Sequence, residues 1–191
     1  MEHRTIAIRN MVCDRCVEVV RAELERLGLH PVRIVLGEAE FASPLSETEL
    51  SAFDAALRAH GFERIDDRRG RLVERVKTLL ITLVHREEPL PVNLSAYLSE
   101  AVGLDYGYLS TLFSEATGVT VERYFIAQKI ERVKELLTYD ELTLSEIAFR
   151  LGYSSVSHLS AQFKKVTGVT PSSYKRSGAH GRCPLDKVGI S

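Results

Sequence analysis

The sequence predicts an α+β domain with the element order βαββαβ, followed by an all-α domain with two helix-turn-helix units joined by a long helix. Three observations support this fold class. Residues 4–67 alternate between strand-like and helix-like hydrophobic spacing, whereas residues 72–176 carry helical spacing alone. A segment of the helical part also recurs 50 residues further along the chain. The length of 191 residues suffices for two small domains.

In the first part, short strands alternate with two amphipathic helices. The predicted elements are a strand over 4–9, a helix over 14–27, strands around 32–36 and 39–42, a helix over 46–60 and a last strand over 62–65. Ser46 and Glu49 form a capping-box pattern at the start of the second helix, and Gly61 ends it. This order is that of the ferredoxin-like fold.

Two cysteines lie in the predicted turn between the first strand and the first helix. The sequence there is Met11-Val12-Cys13-Asp14-Arg15-Cys16. It resembles the M-x-C-x-x-C loop of heavy-metal-associated domains, and the resemblance extends over about residues 3–67, where His60-Gly61-Phe62 resembles their closing segment. The resemblance implies a loop that holds soft metal ions.

The chemistry of Cys13 and Cys16 leaves three interpretations open. A helix N-terminus lowers the pKa of a thiol, and thiolates suit Cu(I) or Zn(II). Two sulfurs alone can hold linear Cu(I), whereas tetrahedral zinc needs further ligands, which a second subunit could supply. A redox-active dithiol and a structural pair without a ligand are the alternatives.

The helical part of the chain contains an internal repeat. The segment LSTLFSEATGVT at residues 109–120 recurs as LSAQFKKVTGVT at residues 159–170, and the same offset relates Tyr124 to Tyr174. Two copies are too few for a solenoid, so a duplicated supersecondary unit is the better interpretation.

Each copy is predicted to be a pair of helices joined by a short glycine turn. The first pair begins at residue 94 and ends at Gly118, and the second begins after a cap at Thr143 and ends at Gly168. A helix over 121–138 connects the pairs, and another over 72–84 precedes them.

Such pairs fit the DNA-binding helix-turn-helix, whose second helix enters the major groove. The connecting helix would be about 27 Å long. It could therefore space the two second helices by about one DNA turn, roughly 34 Å. An all-helical module that binds a ligand or a protein is the alternative interpretation of the duplicated hairpin.

Several short motifs of this part strongly resemble the signature of AraC/XylS-type transcription regulators. They are LSEIA at residues 144–148, Gly152-Tyr153, Phe163-Lys164-Lys165 and TGVTP at residues 167–171. The resemblance covers about residues 72–176. It implies a seven-helix domain with two helix-turn-helix units that activates or represses transcription, with double-stranded DNA and RNA polymerase as partners.

If the apolar stripe of each second helix faces the core, the intervening side chains face the DNA. They are Tyr106, Gly107, Tyr108, Ser110, Thr111 and Ser114 in the first unit, and Ser157, His158, Ser160, Ala161, Gln162, Lys164 and Lys165 in the second. Family members often carry arginine at the positions of Thr111 and Ala161, so the bidentate guanine contact is absent at both. Methyl groups there suit thymine and Gln162 suits adenine, which favours an A·T-leaning site.

The charge distribution predicts unequal contributions from the two units. Residues 94–123 carry one basic and four acidic side chains, whereas residues 144–176 carry five basic and one acidic, in a chain of net charge −1. Lys164 and Lys165 are predicted phosphate contacts, whereas Ser114 and Glu115 occupy the equivalent positions of the first unit. The second unit should therefore dominate DNA affinity.

The predicted domains are a ferredoxin-like sensor over 1–67, a hinge over 68–71, a DNA-binding domain over 72–176 and a flexible tail over 177–191. The leading hypothesis is a cytoplasmic transcription regulator in which a soft metal ion or thiol oxidation at Cys13 and Cys16 alters DNA binding. The alternative is a metal-trafficking module fused to a helical protein-docking domain.

Other classes of protein find little support in the sequence. No phosphate-binding glycine loop, catalytic triad pattern or nucleophile with clustered carboxylates is present, so neither an enzyme nor a required cofactor is expected. No apolar run approaches the roughly 18 residues of a membrane span, and we expect no secretory signal. Three cysteines do not make a disulfide scaffold, and a homodimer stays open.

Overall fold

A computed structural model of the chain describes residues 5–86 and 92–177. It divides into two compact units, Met1–Thr78 and Leu79–Ser191. The described part of the first unit holds a small antiparallel sheet with helices, and that of the second is helical. Among these residues, no helix combines the length and apolar character needed to span a bilayer.

The first unit follows the predicted succession of strands and helices. Its elements are β1 (Thr5–Arg9), α1 (Asp14–Arg26), β2 (Pro31–Val35), β3 (Glu38–Phe41), α2 (Glu47–Ala59) and β4 (Glu63–Ile65). The strands pair antiparallel in the order β2-β3-β1-β4. The predicted capping box is present, since the Ser46 hydroxyl accepts from the Glu49 backbone N–H and the Glu49 carboxylate accepts from the Ser46 N–H.

The core of this unit lies between the sheet and the two helices. It includes the fully buried Ile8 of β1, Leu24 of α1 and Phe53 of α2. Val32, Ile34 and Leu36 have the alternate spacing that predicts inward-facing strand positions. Val32 differs from this prediction, because it is 67% exposed. The register shifts between Pro31 and Arg33, and this irregularity takes Val32 out of the inward-facing set.

Residues 68–71, which the sequence analysis assigns to a hinge, form the first turn of helix α3 (Arg68–Val84). The side chain of Asp67 accepts from the Gly70 backbone N–H at 2.6 Å, and its carbonyl accepts from the Arg71 N–H at 3.1 Å. Asp67 therefore caps a helix that begins four residues before the predicted start at residue 72. The division between the two units falls inside α3, after Thr78.

The second unit continues with α4 (Leu94–Val102), α5 (Tyr106–Thr117), α6 (Val121–Tyr139), α7 (Leu144–Arg150), α8 (Val156–Thr167) and α9 (Pro171–Ser177). The helix pairs α4–α5 and α7–α8 lie where the sequence predicts them, and α6 is one residue longer than predicted. The tail predicted from 177 lies outside the described residues, except for Ser177, which ends α9.

The two helix pairs begin in the same way. Asn93 caps α4, Asp105 caps α5, Thr143 caps α7 and Ser155 caps α8, each through a side-chain oxygen that accepts from a backbone N–H. Their second helices also end alike, at Gly118 and Gly168, both in the left-handed conformation with φ of 76° and 81°.

Candidate nucleic-acid interface

The second helix of each pair buries one face and exposes the opposite one. In α5, Leu109, Leu112 and Phe113 are buried, and in α8 Leu159 and Phe163 are buried. The exposed positions include four that are shared at the repeat offset of 50 residues, and Lys164 is exposed in addition. We call Gly107, Tyr108, Thr111 and Glu115 the α5 strip, and Ser157, His158, Ala161, Lys164 and Lys165 the α8 strip.

The α8 strip contains five of the predicted DNA contacts in one exposed row. The two other predicted residues of this helix, Ser160 and Gln162, are half-buried. The side-chain oxygen of Gln162 accepts a hydrogen bond from the Tyr153 hydroxyl at 2.7 Å. Gln162 stands 50 residues after Leu112, which is buried, so its position in the repeat is an inward-turned one. Its carbonyl group is thus already engaged within the protein.

His158 is exposed and has neighbours within its own turn. Its Nδ1 lies 3.0 Å from the Ser154 hydroxyl oxygen, and its ring meets the Tyr153 ring edge to face with centroids 5.4 Å apart. These contacts fix the orientation of the imidazole and leave it at the surface.

In α5, the predicted contacts Gly107, Tyr108 and Thr111 are exposed. Ser110 is half-buried, as are Tyr106 and Ser114. The Tyr106 hydroxyl donates to the Glu122 carboxylate at the start of α6. Burial and this hydrogen bond raise the pKa of Tyr106 to about 12, so Tyr106 is a neutral donor held in a contact between α5 and α6.

The electrostatics of the two strips differ at one end. Lys164 and Lys165 lie in the last turn of α8, whereas Glu115 is the exposed equivalent of Lys165 in α5. Cations near a helix C-terminus stabilise the helix, and these two lysines also make the C-terminal end of the α8 strip positive. The α5 strip carries an acidic side chain in the same place, which disfavours a phosphate.

The sequence analysis missed Lys129, a lysine of α6 that packs against Tyr153 in the turn between α7 and α8. The ammonium of Lys129 on α6 lies 4.1 Å from the centroid of the Tyr153 ring and 5.5 Å from that of Phe125. Burial lowers the pKa of Lys129 to about 8. Lys129 follows Ile126 by three residues, so the two side chains lie on the same face of α6. This spacing was the sequence feature that could have indicated its burial.

The two thiols of the first unit are brought together. Cys13 is the residue before α1, and its Sγ lies 3.6 Å from the Sγ of Cys16, with both side chains half-buried. Burial raises the pKa of the Cys16 thiol, and backbone hydrogen bonds near Val12 and Cys13 offset it only in part. The expected lowering of the thiol pKa is therefore wrong for Cys16. Across the residues described, no three His, Cys, Asp or Glu side chains are grouped to hold a metal ion.

Comparison with known proteins identifies the helical part. Residues 98–177 match the family model of a helix-turn-helix domain. An uncharacterized HTH-type transcriptional regulator of Staphylococcus aureus strain MSSA476 is 37% identical over 78 residues, which is 41% of this chain and 10% of that protein. The xylose operon regulatory protein of Escherichia coli K12 is 33% identical over 76 residues, or 40% of this chain and 19% of that protein. The chain thus spans between a tenth and a fifth of the length of these curated relatives.

Two solved structures resemble the helical part. The C-terminal domain of AraT, a response regulator from Geobacillus stearothermophilus, has a TM-score of 0.50 and 28% identity, and the match covers 58% of this chain and 88% of that one. An AraC-type transcriptional regulator from Chromobacterium violaceum has the same TM-score of 0.50 with 21% identity, over 59% of this chain and 96% of that one. The latter match concerns the fold alone.

The fold and the comparisons together define a domain of the helix-turn-helix class, which is a regulatory and not an enzymatic domain. More specifically, residues 98–177 form an AraC-type helix-turn-helix domain. The resemblance predicted from the sequence is confirmed for this part of the chain. The resemblance of residues 3–67 to heavy-metal-associated domains stays a prediction.

Proposed function

We propose that the chain is a sequence-specific DNA-binding transcription regulator in which α4–α5 and α7–α8 act as two helix-turn-helix units. The observation that carries the proposal is the pair of exposed strips on α5 and α8, at positions related by the repeat offset of 50 residues. Two equivalent surfaces on one chain suit DNA, because the major groove returns to the same face of the duplex once per helical turn.

The length of α6 supports the use of both units on one DNA molecule. Its 19 residues correspond to about 28 Å of helix. Successive major grooves on one face of DNA are about 34 Å apart, a distance that the helix and its flanking turns can bridge. Each unit would then place its second helix in one groove.

Within this proposal, the α8 strip contributes most of the affinity. Lys164 and Lys165 contact phosphates, while Ser157, His158 and Ala161 face the base edges. Gln162 no longer supports an adenine contact, because that contact needs its carbonyl oxygen, which Tyr153 engages. Ala161 and Thr111 present methyl groups suited to thymine. We therefore expect a site rich in A·T pairs near both half-sites.

The proposal extends to the context in which such a regulator works. It acts in the cytoplasm and contacts RNA polymerase at the promoters it controls. The first unit is a ferredoxin-like domain, supported by the strand order β2-β3-β1-β4 and the succession βαββαβ.

The separation of 3.6 Å between the sulfurs of Cys13 and Cys16 favours a second function in this unit. Two half-buried thiols this close can share one Cu(I), although linear coordination would require the sulfurs to move apart. With an external two-electron oxidant such as a peroxide, the same pair would lose two protons and two electrons and form a disulfide. Zn(II) would require further ligands, such as thiols of a second subunit in a homodimer. A bound metal would join Cys13, the residue before α1, to Cys16 in the first turn of α1. Within this proposal, metal binding or oxidation at this link changes the DNA affinity of the regulator.

Selection of genomic DNA fragments by the purified, reduced protein tests the main proposal. The selection is run at moderate salt, with and without Cu(I). A common motif of two half-sites about one turn apart supports the regulator. No enriched motif in either condition would overturn it and would favour metal trafficking with a helical docking domain.

A paired variant separates the function of the thiols from that of the helices. Cys13→Ser with Cys16→Ser should leave the DNA motif unchanged and should abolish any change that Cu(I) causes. If Cu(I) binds the thiols with no effect on DNA affinity, sensing is excluded while DNA binding stands.

A further inference from the structure

A cavity of about 670 Å³ lies in the second unit, between α6 and α8. Its walls come from two matching helix faces. Arg123, Ile126 and Ala127 line it from α6, and Gln162, Lys165 and Val166 line it from α8. Both sets have the spacing i, i+3, i+4, so each belongs to a single helix face. Val119, in the turn before α6, completes the lining.

The lining combines an apolar surface with two cations. Ile126, Ala127 and Val119 are half-buried, and Val166 is 49% exposed although it faces the apolar cavity. Arg123 and Lys165 are exposed, and within residues 5–86 and 92–177 no ion pair joins either of them to a carboxylate. Small-molecule sites typically occupy about 300–1,000 Å³ and combine apolar walls with a few polar groups.

We propose that this cavity binds a small amphiphilic monocarboxylate, with an apolar body against the valines and Ile126 and a carboxylate between Arg123 and Lys165. The guanidinium and the ammonium can each donate to one carboxylate, and hydrogen bonds between charged groups are the stronger ones. In the described part of the chain, neither cation is paired with a carboxylate. Gln162 adds an amide nitrogen as a donor, because its carbonyl oxygen is engaged by Tyr153.

A phosphate of the DNA backbone fits the cavity less well. A phosphodiester group can contact both cations. However, it has no apolar body to cover the cavity walls, so these walls would stay exposed to water. A carboxylate with six to ten carbon atoms removes those walls from water and gains from each apolar contact. The apolar lining therefore favours a carboxylate with an apolar body over a phosphodiester. The two cations fix the position of its carboxylate group.

The same site has a consequence for DNA binding, and this part of the inference rests on the proposed function. Lys165 belongs to the α8 strip and to the cavity lining at once. A bound carboxylate neutralises Lys165, which would then no longer contact a phosphate. The carboxylate should thus act as an inhibitor that competes with DNA.

Calorimetric titration of the full, reduced chain tests the site. The probes are octanoate for an aliphatic source, 4-phenylbutanoate for an aromatic source and 4-phenylbutan-1-ol as the neutral counterpart. We expect saturable binding of at least one carboxylate below about 1 mM, and binding of the alcohol at least about tenfold weaker. Tighter binding of octanoate would indicate an aliphatic ligand, and tighter binding of 4-phenylbutanoate would indicate an aromatic one.

Variants of exposed residues locate the site without disturbing the core. Arg123→Gln and Lys165→Gln should each weaken carboxylate binding about tenfold, and Val166→Ser should weaken it severalfold. Lys164→Gln is the matched control, since it removes the same charge from the neighbouring position outside the cavity lining, and it should leave carboxylate binding unchanged.

Three results would overturn the site: no saturable binding by either carboxylate, equal binding by the alcohol, or equal losses in Lys164→Gln and Lys165→Gln. Competition is measured separately, as the fold-change in DNA affinity when carboxylate is added to the wild type. An unchanged DNA affinity at saturating carboxylate would overturn competition. A chain that binds carboxylate and no DNA sequence would refute the proposed function and leave the site supported.

Discussion

Phe163 meets Tyr174 edge to face, with ring centroids 5.6 Å apart and planes inclined at 73°. Phe113 and Tyr124 make the same contact 50 residues earlier, at 5.4 Å and 71°. In both copies, a phenylalanine from the second helix of the pair packs on a tyrosine from the helix that follows. The duplicated unit therefore includes the beginning of the third helix, and α9 serves the second pair as α6 serves the first.

Phe163→Ala should lower the free energy of unfolding by about 3–5 kcal/mol, because it removes a fully buried ring and leaves a cavity. Phe149→Ala is the matched control, since Phe149 is 68% exposed, and it should change stability by less than about 0.5 kcal/mol. Urea unfolding of the two variants checks this. Equal losses would contradict the core assignment of Phe163.

Thr143→Ala should cost about 1 kcal/mol by removing the capping box of α7. The Thr143 hydroxyl accepts from the Glu146 backbone N–H at 3.3 Å, and the Glu146 carboxylate accepts from the Thr143 N–H at 2.7 Å. Ser145→Ala, two residues away and exposed, is the control and should be neutral. Thermal unfolding of both variants gives the comparison, and an unaffected Thr143→Ala variant would rule out the capping role.

Glu115→Lys should increase DNA affinity, because Glu115 occupies the position in the α5 strip that Lys165 holds in the α8 strip. The plot of log affinity against log salt should steepen by about 1, as expected for one added phosphate contact. Glu115→Gln separates loss of repulsion from gain of a contact, since it should raise affinity without steepening the slope. A slope that stays the same in Glu115→Lys would argue against a DNA backbone near this strip.

Lys129 should make stability rise with pH in the alkaline range. Burial lowers its pKa from 10.5 to about 8, so between these values the unfolded chain binds the proton and the folded chain does not. Stability from this group therefore increases from about pH 8 upward, by up to about 3 kcal/mol. Below that pH both states are protonated, and the penalty of the buried charge is constant.

The measurement is urea unfolding of the wild type and Lys129→Met between about pH 8 and pH 10. Burial raises the pKa of Tyr153, which lowers stability at higher pH in both proteins. Only the difference between them is therefore informative. A wild-type slope equal to that of Lys129→Met would contradict the burial of a protonatable Lys129.

Local hydrogen-bond chemistry made several helix boundaries predictable, although α3 begins four residues before its predicted start. The sequence specifies a capping box at Ser46 and a helix cap at Thr143, and Gly118 and Gly168 specify helix ends, so these features need no tertiary information. The exposed strips were predictable for the same reason, because an apolar stripe at helical spacing leaves the opposite face to solvent.

The sequence-based predictions that differ from the structure concern residues whose environment depends on contacts with parts of the chain distant in sequence. Val32 lies on a strand irregularity that depends on pairing with β3. The thiol pKa of Cys16 depends on burial and not only on the adjacent helix N-terminus. The interaction of Gln162 with Tyr153 depends on how α8 packs, although the buried Leu112 at the equivalent repeat position was an available hint.

The early start of α3 changes how the chain should respond to proteolysis. Arg68, Arg69 and Arg71 lie in its first turn, and proteases require an extended substrate that a capped helix does not offer. Behind them, Val73 and Val76 are buried, so local opening of this helix exposes apolar surface and is disfavoured. Limited trypsin digestion should therefore spare this arginine cluster, although its sequence looks like an interdomain linker.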